Sequence, residues 1–156
     1  MQLEIAIITC SSTRTLAEDQ AGATLASRIQ DRGWVVVSHE VVPDNRKRIS
    51  EAIVACADAG ADIVLTCGGS GLSRADVTPE ATADVCDRNV PGIAEAMRAV
   101  SFQITGRAML SRAVCMQRDT TLVVNLPGST KAASECFDAV CDQFEHAVLM
   151  TAGGGH

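Results

Sequence analysis

Short apolar runs rich in β-branched residues alternate along the chain with segments whose apolar positions recur every three or four residues, so strands and helices are expected in turn. Residues 3–9 predict a strand, and a helix follows over about 18–31, stopped by Gly33. Residues 34–42 predict a second strand, ended by Pro43. Asp44 or Asn45 then caps a helix in which Ile49, Ala52, Ile53 and Cys56 share one face, with Gly60 as the stop. Asp62-Ile-Val-Leu-Thr-Cys67 lacks polar alternation and reads as a short buried strand of the kind found in parallel sheets. Thr78-Pro79-Glu80 opens a helix with Thr as N-cap, Pro at the first helical position and an acid in the first turn. A helix after Pro91, a hairpin-like pair over 113–117 and 121–125, and a last helix from 129 to about 149 complete the series. The alternation predicts an α/β fold: a single three-layer domain over residues 1–152, its mostly parallel sheet carrying helices on both faces. The tail 153–156 reads as loose, and no repeat or linker is visible.

Composition narrows the picture. Apolar residues make up 47% of the 156 but aromatics only 3%, with no Tyr, so the core must be built mainly from Ala, Val, Ile and Leu. The start, Met1-Gln-Leu-Glu-Ile5, has no basic region followed by an apolar stretch, and no apolar run approaches the roughly 18 residues that span a membrane. A cytoplasmic protein is expected, with no membrane partner. The net charge of −6 argues against a general nucleic-acid surface, although small anions can still bind where local groups favour them. Seven cysteines form no Cys-x-x-Cys, and His39, His146 and His156 are scattered, so most cysteines are expected as small buried hydrophobes. Cys10 and Cys67 end predicted strands, but no activating base can be placed beside either. Arg46-Lys47-Arg48 reads as a solvated helix face.

The chemistry concentrates in Thr66-Cys-Gly-Gly-Ser-Gly-Leu-Ser-Arg-Ala-Asp76-Val-Thr-Pro-Glu-Ala81, a glycine-rich loop between a buried strand and a helix. The carboxyl end of such a strand is where open α/β sheets bind ligands. Gly68, Gly69 and Gly71 permit positive φ and close backbone approach, so successive N–H groups can turn toward an anion, and Ser70 adds a hydroxyl. The same string also reads as a tight strand-to-helix turn. It is not a Walker loop, since no lysine lies between Lys47 and Lys131, nor a dinucleotide fingerprint after the first strand. Asp44 follows the second predicted strand and Asp76 follows the third. They read either as a helix cap and an Asx-turn or as a pair of metal ligands for nucleotidyl transfer. Asn125-Leu-Pro-Gly-Ser-Thr-Lys131 repeats the strand, turn, helix arrangement, with Ser129 as cap of an anion-attracting helix end. Lys131 reads as a phosphate contact or a solvated first-turn lysine.

The string Gly-Gly-x-Gly-x-x-x-x-Asp-Val-Thr-Pro-Glu-Ala resembles the signature of the MoaB/Mog molybdenum-cofactor family, which includes the G domain of gephyrin. Leu16-Ala-Glu-Asp-Gln-Ala-Gly22, Val42-Pro-Asp44, Met109-Leu-Ser-Arg-Ala-Val114, Asn125-Leu-Pro-Gly-Ser129 and Glu135-Cys-Phe137 are similar to family segments in the same order, so practically the whole chain is covered. The resemblance implies a homotrimer that adenylylates molybdopterin: the terminal phosphate of the pterin attacks ATP, giving adenylylated molybdopterin and pyrophosphate with Mg²⁺. It also implies catalytic and metal roles for Asp44 and Asp76. Substrate contacts are implied at Ser11, Thr66, Gly68, Gly69, Ser70, Gly71, Ser111, Arg112, Asn125, Pro127, Gly128, Ser129 and Lys131. Arginine suits bidentate contact with a phosphate or ring edge, which fits Arg112 to that role.

Thr9-Cys-Ser-Ser12 departs from the family pattern, placing Ser12 where many members carry an acid, and Cys67 and Ser70 each stand where Thr is frequent. Three functions follow from the resemblance: the adenylyltransferase, a non-catalytic molybdopterin carrier, and a CinA-like nucleotide pyrophosphate hydrolase.

Overall fold

The computed structural model describes residues 1–154. Six strands form one sheet in the order β2-β1-β3-β6-β5-β4: β1 (Glu4–Cys10), β2 (Val35–Val42), β3 (Ile63–Cys67), β4 (Arg88–Asn89), β5 (Cys115–Arg118) and β6 (Thr121–Leu126). β2, β1, β3 and β6 run parallel, while β5 and β4 turn back antiparallel at the far edge. The helices are α1 (Gln20–Asp31), α2 (Arg46–Asp58), α3 (Thr78–Val85), α4 (Pro91–Phe102), α5 (Thr130–Val140) and α6 (Phe144–Thr151), with 3-10 turns at Leu16–Glu18, Gly106–Leu110 and Cys141–Gln143.

Alternate residues of the central strands feed two separate cores. On one face Ile5, Ile7, Ile63, Leu65, Leu122 and Val124 pack against α1, α4, α5 and α6. On the other, Ala6, Ile8, Val64 and Val123 pack against Ile49, Ile53 and Cys56 of α2 and Ala81 of α3. A period-2 strand buried on both sides explains why the central strands read as unbroken apolar runs. Each fully buried Ile or Leu stabilises by roughly 2 kcal/mol, so these two layers supply much of the folding free energy. Three of the four aromatics gather at one corner, where Phe144 meets Phe137 edge-on at 6.0 Å and Trp34 at 6.1 Å.

Several boundaries differ from expectation. The first helix begins at Gln20, with the Asp19 carboxylate accepting from the Gly22 N–H at 3.0 Å, and residues 16–18 form a 3-10 turn instead. The last helix is broken at Cys141–Gln143, which redirects the chain so that Phe144 is fully buried. The two-residue strand β4 and the turn at Gly106–Leu110 carry no periodic signal. Of the tail, Gly153 and Gly154 close α6 by donating to Met150 and Leu149 carbonyls, and residues 155–156 lie outside the described part. Among the described residues no helix is long and apolar enough to cross a membrane.

The connections from β1 to β2 and from β2 to β3 cover opposite faces, because α1 packs on one core and α2 on the other. The chain therefore leaves β1 in one direction along the sheet and β3 in the other. Such a reversal opens a crevice at the carboxyl ends of the two strands.

Candidate functional site

Register brings the strand ends level. Cys10 pairs with Val42, Thr9 with Cys67, and Cys67 with Leu126, so the loops after β1, β2, β3 and β6 emerge side by side. The β3 and β6 loops meet backbone to backbone. The Gly68 N–H donates to the Leu126 carbonyl at 3.0 Å, and a Cβ on Gly128 would stand 3.3 Å from the Gly68 Cα. Gly68 and Gly69 hold φ of +98° and +71°, the left-handed region that favours glycine. Gly71 does not adopt positive φ. It is needed for close approach instead, since a Cβ there would lie 2.9 Å from Asp76 Oδ2.

Asn45, not Asp44, caps α2, its Oδ1 accepting from the Arg48 N–H at 3.0 Å. That leaves the Asp44 carboxylate free to turn into the crevice. Ser12 grips it: the Ser12 N–H and hydroxyl both donate to Asp44 Oδ2 at 3.2 Å, and the hydroxyl accepts from the Asp44 N–H at 3.0 Å. Asp76 Oδ2 accepts from the Ser73 N–H at 3.0 Å. Oδ1 of each aspartate makes no hydrogen bond among the described residues. Asp44 Oδ1 lies 3.7 Å from where a Gly69 Cβ would be, and Asp76 Oδ2 borders Gly71, so the two carboxylates flank one stretch of glycine loop. No group of three or more His, Cys, Asp or Glu able to hold a metal exists among the described residues. Mg²⁺ commonly takes one or two carboxylates and completes its shell with phosphate oxygens and water, so a two-aspartate site fits an ion that arrives with a phosphate ligand.

Thr78 was expected as the cap of α3, but Val77 holds that position and no side chain caps it. The buried Thr78 hydroxyl instead donates to the Gly68 carbonyl at 2.9 Å, and its N–H donates to Gly69 O at 3.0 Å, tying helix to loop. Thr66 and Asn125, expected as ligand contacts, lie beneath the surface of the rim. Both are 0% exposed, and the Asn125 amide donates to Thr66 and Thr82 hydroxyls, both at 3.0 Å, while its oxygen accepts from the Val114 N–H at 3.2 Å. Arg112 is also committed to protein: its guanidinium reaches Gly71 O, Asp76 O and Glu80.

Ser11 orders its own loop, its hydroxyl accepting from Thr13 and Arg14 N–H groups at 3.3 and 3.1 Å. Ser129 caps α5 as expected, accepting from the Ala132 N–H at 3.2 Å. Lys131 is highly exposed and leans toward Glu135 at 3.9 Å, one turn along α5. Arg14 was not anticipated: it donates to the Gly128 carbonyl at 3.3 Å, across the mouth between the β1 and β6 loops.

Beside the glycine loop lies a cleft of about 330 Å³ that Ser70, Gly71, Ser111 and Pro127 share with α4 and the following turn through Met97, Arg98, Ser101, Thr105 and Arg107. The last five escaped the sequence reading. Ala94, Arg98 and Ser101 stand at helical spacing, but only packing decides which helix face looks at the loop.

Burial pushes the Cys10 thiol up to about 11 and the Cys67 thiol up to about 12, so both stay protonated and neither is an activated nucleophile. All seven cysteines are free. A further buried carboxylate, Asp19, supports the β1 end: Thr9 donates to it at 2.5 Å and His39 Nε2 lies at 2.7 Å. Burial raises its pKa, but hydrogen bonds from Thr9, Gly22 and His39 outweigh this and hold it below the ordinary aspartate range.

Residues 6–146 match the family model described as a probable molybdopterin binding domain. The chain is 37% identical over 116 residues to the molybdopterin adenylyltransferase of Helicobacter pylori, covering 74% of this chain and 66% of that protein, just under two thirds of the relative's length. It is 37% identical over 129 residues to molybdenum cofactor biosynthesis protein B of Halalkalibacterium halodurans, covering 81% and 76% of the two chains. A crystal structure of a molybdenum cofactor biosynthesis protein B superimposes with a TM-score of 0.94 at 30% identity, over 98% of each chain. The glycine loop with its two aspartates, the family model and the near-complete superposition converge on one conclusion: the chain belongs to the MoaB/Mog family of molybdenum-cofactor biosynthesis proteins.

Proposed function

We propose that this protein is a molybdopterin adenylyltransferase, transferring AMP from ATP to the terminal phosphate of molybdopterin. A phosphate oxygen of the pterin forms a bond to the α-phosphorus of ATP, the bond to the β-phosphate oxygen breaks, and pyrophosphate leaves. The observation that carries the reading is the pair of carboxylates, Asp44 beside Gly69 and Asp76 beside Gly71, along one glycine loop at the sheet's switch point. A Mg²⁺ bound there would offset phosphate charge as it develops.

The chain's own part in the reaction is placement. Backbone N–H groups of Gly69, Ser70 and Gly71 and the free N–H groups at the start of α5 receive phosphate oxygens, and Ser129 keeps that helix end ordered. The cleft lined by Ser70, Ser111, Met97 and Arg98 has the room and the mixed apolar and cationic character to hold the pterin. Gly128 lets the two loops approach closely enough to contact one ligand together. The active form is a homotrimer: Phe102, Ile104, Met109 and Leu110, each half or more exposed, crowd within ten residues and offer apolar surface to another copy.

The test is direct. Purified protein is incubated with molybdopterin and Mg-ATP, and the pterin is analysed by mass. Adenylylated molybdopterin is expected. Unchanged molybdopterin that nonetheless binds tightly would refute catalysis and leave a pterin-binding protein.

A further inference from the structure

The sequence presents Arg112 as a ligand contact, yet its donors are spent elsewhere. Nε donates to the Gly71 carbonyl at 2.7 Å, Nη2 to the Asp76 carbonyl at 2.8 Å, and Nη1 to both Glu80 oxygens at 2.9 and 2.8 Å. Its own backbone N–H donates to Ser70 O at 2.9 Å. One side chain thus ties together the two ends of the segment 71–76, and at the far end stands the Asp76 carboxylate.

That segment has little else to hold it. Leu72, Ser73, Arg74 and Ala75 are exposed, and its internal bonds are the two between Ser73 and Asp76. Glu80 provides a fixed reference, because it sits in the first turn of α3 behind the buried Thr78 and Pro79. Arg112 itself is anchored from behind by Arg98, which donates to the Ser111 and Ala113 carbonyls at 3.4 and 2.8 Å. The Arg112 hydrogen bond is the largest influence holding the Glu80 carboxyl below its ordinary range, so the pair is ionic at neutral pH.

We infer that Arg112, anchored on Glu80, is a positioning residue that holds the Gly71–Asp76 loop and so fixes the Asp76 carboxylate for the transfer, and is not itself a contact to the substrate phosphate. A guanidinium fits because it is planar and presents several donors in fixed directions, reaching two carbonyls and a carboxylate at once; a lysine ammonium cannot span them. The inference rests on the adenylyltransferase reading for its catalytic consequence, but the loop-holding itself does not.

The experiment compares wild type with Arg112→Lys, Glu80→Gln, Asp76→Asn and the Arg112→Lys/Asp76→Asn double variant. Misplacing a reacting group by a fraction of an ångström to one ångström costs on the order of 10- to 100-fold, so Arg112→Lys should lower kcat by about that factor. The KM for molybdopterin should stay within about twofold, the signature of a group that acts without binding substrate. Glu80→Gln should shift kcat in the same direction by less. In the Asp76→Asn background Arg112→Lys should add little, because its effect passes through a carboxylate already removed. Amide hydrogen exchange over residues 71–76, measured on the ligand-free protein, should accelerate in Arg112→Lys while the helices keep their protection. A raised KM with kcat intact, or losses that multiply in the double variant, would make Arg112 a substrate contact and overturn the inference. The two readings fail separately: normal turnover by Asp76→Asn removes the catalytic assignment, whereas unchanged loop exchange in Arg112→Lys removes the positioning role.

Discussion

Alanine at Gly69 and alanine at Gly71 should fail in different ways, although the two glycines are two residues apart. At Gly69 the backbone holds φ of +71°, and a Cβ would overlap the Thr78 hydroxyl and lie 3.3 Å from Thr78 Cβ. Thr78 cannot step aside, being fully buried with its hydroxyl bonded to Gly68 O. The left-handed conformation costs about 1 kcal/mol with a side chain, and displacing Thr78 from a buried hydrogen bond adds about 1–3 kcal/mol, for a total of about 2–4 kcal/mol. In a domain of this size 1 kcal/mol moves the melting temperature by roughly 2–4 °C, so Gly69→Ala should melt about 5–15 °C lower. At Gly71 φ is ordinary, and the methyl would meet only the end of the Asp76 side chain, 2.9 Å from Oδ2. Moving that oxygen by a few tenths of an ångström should cost less than about 1 kcal/mol of stability, yet displacing a reacting group by such amounts costs turnover on the order of tenfold. Differential scanning fluorimetry and a single-turnover adenylylation assay on both variants read these out. Wild-type melting for Gly69→Ala, or wild-type turnover for Gly71→Ala, would refute the reasoning.

The remaining outcomes concern charge and assembly. Asp76→Asn should reduce turnover by at least ~100-fold, the usual effect of removing one electrostatic group at a reacting phosphate, while circular dichroism stays unchanged because the amide oxygen can still accept from Ser73; turnover within a few-fold of wild type would exclude the role. Sedimentation near neutral pH should report a trimer, and a monomer persisting at micromolar concentration would refute assembly through the exposed patch around Phe102 and Met109. Asp19 has a folded pKa below its unfolded value of about 4, so its contribution to stability is complete above that value and is lost as pH falls through the lower folded pKa. Urea midpoints should therefore drop below about pH 4, and Asp19→Asn should flatten that acid limb; an identical limb in the variant would show that other carboxylates control it.

The layered fold was legible in the sequence because both core layers are written into local periodicity. Ile5 and Ile7 face one layer while Ala6 and Ile8 face the other, and Ile49, Ile53 and Cys56 fall on one face of α2. The gathering of the glycine run, Asp44 and Asp76 at one rim was legible too, since all three follow strands, and strand ends in a parallel sheet lie side by side. What a side chain does at that rim was not legible. Arg112 lies 32 residues from Glu80 and 41 from Gly71 along the chain, and Asn125 is 59 from Thr66. No pattern of neighbours distinguishes an arginine aimed at a phosphate from one spent on a loop, or an asparagine open to ligand from one closed in a hydroxyl network. The same limit explains the broken last helix, whose periodicity runs on through residues 141–143 while burial of Phe144 against Phe137 and Trp34 bends it. Local propensity and amphipathic pattern decide which elements form and which faces they bury. Partners for individual polar groups are decided only when distant segments meet, because the free energy of a buried hydrogen bond or ion pair depends on the group across from it and not on the residues beside it.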